Sequence, residues 1–135
     1  MNKSDQIRLS FPVNPAYVSS ARLTVSSIAN RISFDIDEIE DIKTAVSEAC
    51  IYIIKRSAAF AGSNFEICFT PGQQEMYVEI LAEDKAGVDV AEASSEEMSL
   101  MMIKALVDEF SISKPADDKI SITMTKRHKD IVFEP

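Results

Sequence analysis

Glycine is scarce in this chain: three residues in 135, at Gly62, Gly72 and Gly87. A phosphate cradle built on close backbone approach needs several such positions, so the composition supplies little material for one. Basic residues are in the minority, 14 Lys+Arg against 22 Asp+Glu for a formal charge of -8. That balance argues against a phosphate-backbone binder and against an anionic membrane surface, leaving protein partners or small ligands. Cysteine is limited to Cys50 and Cys68, both in apolar runs and without CxxC spacing. This weighs against a redox pair or a metal site and reads as two free, buried thiols. The one histidine, His128, lies in a charged C-terminal stretch, and no Ser/His/Asp or Cys/His arrangement has residues to rest on. No apolar run approaches the length of a bilayer span, and "MNKSDQIRLS" has no apolar stretch after its lysine. The expectation is a cytoplasmic protein.

What is present reads as one domain over residues 1–135, with 127–135 as a tail. "IRLSFPV" alternates Ile7, Leu9, Phe11 and Val13, the period of a half-buried strand. Asn14 and Pro15 then suit the start of a helix, and Val18, Ala21, Val25, Ile28 and Ile32 follow at helical spacing. A second helix carries the stripe Ile39, Ile42, Val46, Ala49 and Ile53, with Asp35, Asp37 and Glu38 at its start and "KRS" at its end. Phe65, Ile67, Phe69 and Met76, Val78, Ile80 predict a hairpin around Pro71-Gly72. The small, acidic stretch from Asp84 to Glu97 reads as a loop. A third helix has Met98, Met101, Met102, Ala105 and Leu106 at helical spacing; the methionine cluster is most often core packing, though methionine also suits adaptable partner surfaces. Two short strands flank Pro115 and Asp117. The order strand, helix, helix, strand, strand, helix, strand, strand predicts an α+β fold, a two-layer sandwich with helices on one face of a mixed sheet.

The segments "SARLTVSSIANR", "IEDIKTAVSEAC", "IKALVDEFSI" and "ITMTK" resemble, in order and spacing, the anti-sigma-factor serine kinases of bacteria, from Ile7 to about Lys126. These are members of the GHKL group of ATP-binding folds, which includes histidine-kinase catalytic domains. The resemblance implies a GHKL (Bergerat-type) fold with a mixed, mostly antiparallel sheet and three helices on one face. It also implies an ATP site between the second helix, the loop and the third helix.

Carried over residue by residue, the family's Glu-x-x-x-Asn helix motif places Glu48 as general base toward a serine hydroxyl and puts Tyr52 where Asn would ligate Mg²⁺. A neutral phenol is bulky and a poor ligand for a hard cation that demands small oxygen donors. The Asp-x-Gly-x-Gly motif keeps Asp84, the acceptor for the adenine amino group, but has Ala86 and Val88 at the glycine positions with Gly87 between them. The Gly-x-Gly-Leu motif becomes "EMSL", with Glu97 and Ser99 at its glycines. A carboxylate near a triphosphate repels it by roughly 1 kcal/mol at 4 Å in water. The final Gly-Thr-Thr is matched by "KIS", leaving Ser121 with a hydroxyl. The adenine end (Asp84, Gly87, Ser121) is thus partly kept, and the phosphate and metal end is changed. Arg22, in "SARLTVSS", falls at the first-helix arginine through which the family contacts sigma factor and antagonist.

The leading reading is an anti-sigma-type regulator that binds a sigma factor, its antagonist, or both, and has weakened or lost ATP and Mg²⁺ binding. The changed positions weigh against catalysis. One alternative is a working ATP-dependent serine/threonine kinase with Glu48 as base; another is a scaffold module unrelated to sigma factors. The family works as a homodimer, and no nucleic acid, membrane or resident metal is expected.

Overall fold

The computed structural model of the protein describes residues 5–57, 63–84 and 98–129. Its strands are β1 (Ile7–Pro12), β2 (Asn64–Pro71), β3 (Glu75–Glu83), β4 (Glu109–Ala116) and β5 (Lys119–Arg127). Its helices are α1 (Val18–Ala29), α2 (Ile36–Ser57) and α3 (Met98–Leu106), with a 3-10 turn at Pro15–Tyr17 before α1. The order is the one the periodicities predict. The Asn14 carboxamide oxygen accepts from Ala16 N–H at 2.9 Å, so Asn14 and Pro15 do start helical structure, first as that tight turn.

The five strands form one sheet in the order β1-β2-β3-β5-β4. Every pairing is antiparallel, so the expected mixed character is absent. β2-β3 and β4-β5 are hairpins and antiparallel by connectivity, and β1-β2 and β3-β5 also pair antiparallel although helices intervene. The α+β two-layer architecture stands. On the helix side, Phe65, Ile67, Phe69, Met76, Val78, Ile80, Ile120, Ile122 and Met124 are buried at alternate positions. The α2 stripe meets them, with Ile42, Val46, Ala49 and Ile53 fully buried and α2 packed between α1 and α3. Burying each of the larger aliphatic side chains is worth about 1.5–3 kcal/mol. Cys50 is buried and Cys68 half-buried, both as free thiols.

Two expectations are corrected. The methionine stripe of α3 faces outward, with Met98 69%, Met101 54% and Met102 38% exposed, while Ser99, Leu100 and Ile103 are buried. This helix is apolar on nearly all sides, so spacing alone does not say which side meets the core. Of the expected tail, 130–135 lie outside the described residues, Arg127 and His128 are half-buried, and Lys129 is exposed but hydrogen-bonded through its backbone. Arg127 pairs with Glu75 in the ladder, and His128 N–H donates to the Gln74 carbonyl at 2.8 Å. His128 Nδ1 lies 2.7 Å from Glu38 Oε1, and Lys129 N–H donates to Glu38 Oε2 at 2.7 Å.

That junction anchors the start of α2. The Asp35 carboxylate accepts from Glu38 N–H at 2.8 Å and the Glu38 carboxylate accepts from Asp35 N–H at 2.9 Å, a reciprocal capping box. Burial pushes the Glu38 pKa up, but hydrogen bonds from Asp35, His128 and Lys129 outweigh it and hold the carboxyl below its ordinary range. Helix α2, which bears the candidate catalytic and metal positions, is therefore pinned at its first turn to the end of β5.

Candidate functional site

Glu48, Tyr52 and Arg56 follow one another at four-residue spacing along α2, which sets them on one face of the helix. Glu48 is half-buried and makes no side-chain hydrogen bond or ion pair with other described residues. Tyr52 is only 5% exposed. Its hydroxyl accepts from Arg56 Nη1 at 2.8 Å, and the Arg56 guanidinium carbon lies 5.9 Å from the Tyr52 ring centroid. The phenol is held by a cation one turn further along its own helix.

Arg56 reaches from the end of α2 to Asp84, just past the last residue of β3. Asp84 continues the inward parity of Val78, Ile80 and Ala82, which delivers its carboxylate to the helix side of the sheet. There it is fully buried. Arg56 Nε and Nη2 donate to Asp84 Oδ1 and Oδ2, both at 2.9 Å, the two-pronged geometry that suits guanidinium and carboxylate. Lys114 Nζ adds a contact to Oδ2 at 3.2 Å. Lys114 comes from β4, where the register shifts between Ser113 and Ala116. Burial raises the Asp84 pKa, but Arg56 and Lys114 more than offset it and keep the carboxyl below the usual range. The hydrogen bond to Asp84 in turn raises the pKa of Arg56. A buried charge is tolerated when paired and hydrogen-bonded, which this cluster provides.

The other sequence-derived positions separate. Ser121 does not join Asp84. It pairs with Leu81 in the β3-β5 ladder while its neighbours Ile120 and Ile122 face the core, so its hydroxyl lies on the opposite sheet face. There Ser121 Oγ donates to Glu79 Oε2 at 3.3 Å. Ser99 is buried near the start of α3. Arg22 is half-buried on α1. Ala86, Gly87, Val88 and Glu97 lie outside the described residues. Among the described residues no group of three His, Cys, Asp or Glu side chains is placed to hold a metal ion. Likewise, no described helix is long and apolar enough to cross a membrane.

Sequence reading missed Arg56 and Lys114. The signal for Arg56 was its four-residue spacing from Tyr52. Its place in "KRS" also suits a helix C-terminus, which hides that role. Lys114 carried no local signal, because its partner Asp84 lies at the end of another strand.

The sequence profile of the histidine kinase-like ATPase domain matches residues 11–126. The chain belongs to this family. Within it, the chain is 34% identical over 117 residues to the serine-protein kinase RsbW of Bacillus cereus strain G9842, covering 87% of the chain and 66% of that relative. It is 33% identical over 117 residues to RsbW of Bacillus thuringiensis strain Al Hakam, with the same coverage of 87% and 66%. The match thus spans just under two thirds of these relatives' length. Two solved structures share the fold with a TM-score of 0.69 each. The SiaB-SiaC complex from Pseudomonas aeruginosa is 10% identical, with 88% of each chain covered. The RsbU and RsbW domains of Rv1364c from Mycobacterium tuberculosis are 17% identical, covering 92% of this chain and 32% of that one. Asp84 and Tyr52, which the resemblance assigns to the adenine and asparagine positions, are both bonded by one arginine.

Proposed function

We propose that this histidine kinase-like domain is an anti-sigma-factor-type regulator of bacterial transcription. It acts in the cytoplasm by binding proteins, with ATP and Mg²⁺ binding impaired or lost. The observation that carries this reading is the Arg56–Asp84 pair. The carboxylate that would accept from an adenine amino group already accepts two hydrogen bonds from Arg56 and an ion pair from Lys114. A ligand would have to displace a guanidinium from a fully buried carboxylate, leaving that cation to find another partner.

The metal end supports the same reading. Mg²⁺ takes oxygen ligands at about 2.0–2.1 Å in near-octahedral geometry, and a neutral phenol bonded to a guanidinium offers neither charge nor a free approach. The residues present at this corner do not fit the nucleotide and its metal. A partner surface then carries function, with Arg22 on α1 as its assigned contact for a sigma factor or antagonist.

One observation favours a second reading, a working serine/threonine kinase for an antagonist protein. Glu48 is half-buried and without a side-chain partner among the described residues, the condition of a carboxylate available as a base, and the matched relatives are named serine-protein kinases. Capture of a purified sigma factor by the immobilised domain separates the two. The regulator reading predicts retention with no nucleotide present and loss of at least tenfold in affinity for Arg22→Glu. Retention only in the presence of ATP and Mg²⁺ would favour the kinase, and equal capture by Arg22→Glu would remove Arg22 from the interface.

A further inference from the structure

Lys126 ties three elements together with one ammonium. It pairs with the buried Met76 in the β3-β5 ladder and shares its inward parity, which sends the side chain to the helix side of the sheet. There Lys126 Nζ donates to the carbonyl of Leu106, the last residue of α3, at 2.8 Å, and to Asp41 Oδ2 on α2 at 3.1 Å. The last carbonyls of a helix have no partner within it, and a lysine is well suited to take one. The backbone just past α3 is fixed as well. Val107 N–H donates to the Ile103 carbonyl at 3.1 Å, Asp108 N–H donates to the Thr125 carbonyl at 2.9 Å, and the Asp108 carboxylate accepts from Arg127 N–H at 2.7 Å. The C-terminal end of α3 is therefore anchored on β5.

The body of α3 is held by less. Of its nine residues only Ser99, Leu100 and Ile103 are buried, whereas α2 buries Ile42, Val46, Ala49 and Ile53 along its length. A helix this short is marginal in water by itself, so α3 depends on its docking. Elements with few buried side chains open at a lower free energy than the core around them.

What α3 covers follows from where it ends. Asp41, Ala45, Glu48 and Tyr52 stand at i, i+4, i+7 and i+11, on one side of α2. Helix α3 packs on α2 and ends beside Asp41, so its length of roughly 13 Å runs back along this line towards Glu48.

We infer that α3 is a latched gate over the Glu48 face of α2. It undocks as one unit about the fixed residues Val107 and Asp108, and Lys126 is the latch that holds it closed. For its purpose the inference rests on the α2 site described above. Its test uses neither nucleotide nor a sigma factor, so it and the proposed function fail separately.

Hydrogen exchange of the full chain, followed by mass spectrometry, tests the gate. The amides of α3 should exchange well before those of α2 at 45–53 and of the β2-β3 ladder. Lys126→Met keeps the buried stem and removes the ammonium, and should speed exchange in α3 at least tenfold with β2-β3 unchanged. Asp41→Asn, at a partly exposed position of α2, should act in the same direction, so the outcome does not depend on one variant folding. Access to the face is read in a Cys68→Ser background, with Cys50 buried as the internal control. The thiol introduced by Glu48→Cys should there react with a disulfide reagent at least fivefold faster once Lys126→Met is added. Exchange of α3 together with α2, an equal rise in α3 and β2-β3, or an unchanged labelling rate at position 48 overturns the proposal.

Discussion

Arg56 and Asp84, 28 residues apart in the chain, form a two-pronged ion pair with both hydrogen bonds at 2.9 Å, and Asp84 is fully buried. The pair ties the end of α2 to the end of β3. Lys114 extends the tie to β4 and Tyr52 folds it back onto α2, so α2, β3 and β4 are joined by protein side chains.

Breaking one side of this pair should cost much more than replacing both. Arg56→Ala strands a buried carboxylate and is expected to lower stability by about 3–5 kcal/mol. The double change Arg56→Met, Asp84→Leu should recover most of that loss, since it removes both charges and keeps apolar volume. Urea unfolding of the wild type and the two variants measures it.

Acid should unfold the protein through the same groups. Asp84 and Glu38 titrate below their ordinary range when folded: burial opposes ionisation in each, and it is outweighed in Asp84 by hydrogen bonds and charge from Arg56 and Lys114 and in Glu38 by hydrogen bonds from Asp35, His128 and Lys129. For Asp35 the hydrogen bond from Glu38 N–H is the first cause of its lowered value. A folded pKa below the unfolded one means that the stabilisation is present above the unfolded carboxyl range and is lost as pH falls through the folded values. The unfolding midpoint in urea is therefore expected to be flat near neutrality and to drop below about pH 4. Glu38→Gln should flatten part of that drop.

The capping box gives a separable prediction. Glu38→Ala removes the acceptor of Asp35 N–H and Lys129 N–H and the partner of His128 in one change. It should cost about 1–2 kcal/mol and loosen the start of α2. Amide hydrogen exchange would then rise around 35–41 and 126–129 while the β2-β3 ladder keeps its protection.

The two thiols should differ sharply. Burial pushes the Cys50 pKa up to about 12, so it carries almost no thiolate near neutrality. Cys68 is half-buried on the outer sheet face beside Thr70. A disulfide reagent is expected to modify Cys68 in the native protein and Cys50 only on unfolding, readable by peptide mass mapping.

The fold was largely legible because its signals are local. Alternation fixed which side of β2 and β3 is inside, the α2 stripe fixed its buried face, and Asn14 and Asp35 marked where helical structure begins. Of the candidate site, the contacts were not legible. Asp84 and Tyr52 were found from motif spacing, whereas Arg56 and Lys114 acquire their role only when α2, β3 and β4 converge. Ser121 was grouped with Asp84 by sequence, but strand parity sends the two to opposite faces. For the α3 methionines both core packing and an outward face were open, because a helix apolar on both faces carries no periodic signal to choose between them. His128 looked unengaged for the same reason as Lys114: its partner, Glu38, lies 90 residues away.

The central claim is that side chains of the protein hold the positions a nucleotide and its metal would need. Calorimetric titration of the purified domain with ATP and Mg²⁺, and separately with ADP, tests it most directly. The account predicts no binding heat and no change in thermal midpoint at millimolar nucleotide. Micromolar, Mg²⁺-dependent binding would contradict it, and would return Glu48 to the role of a catalytic base.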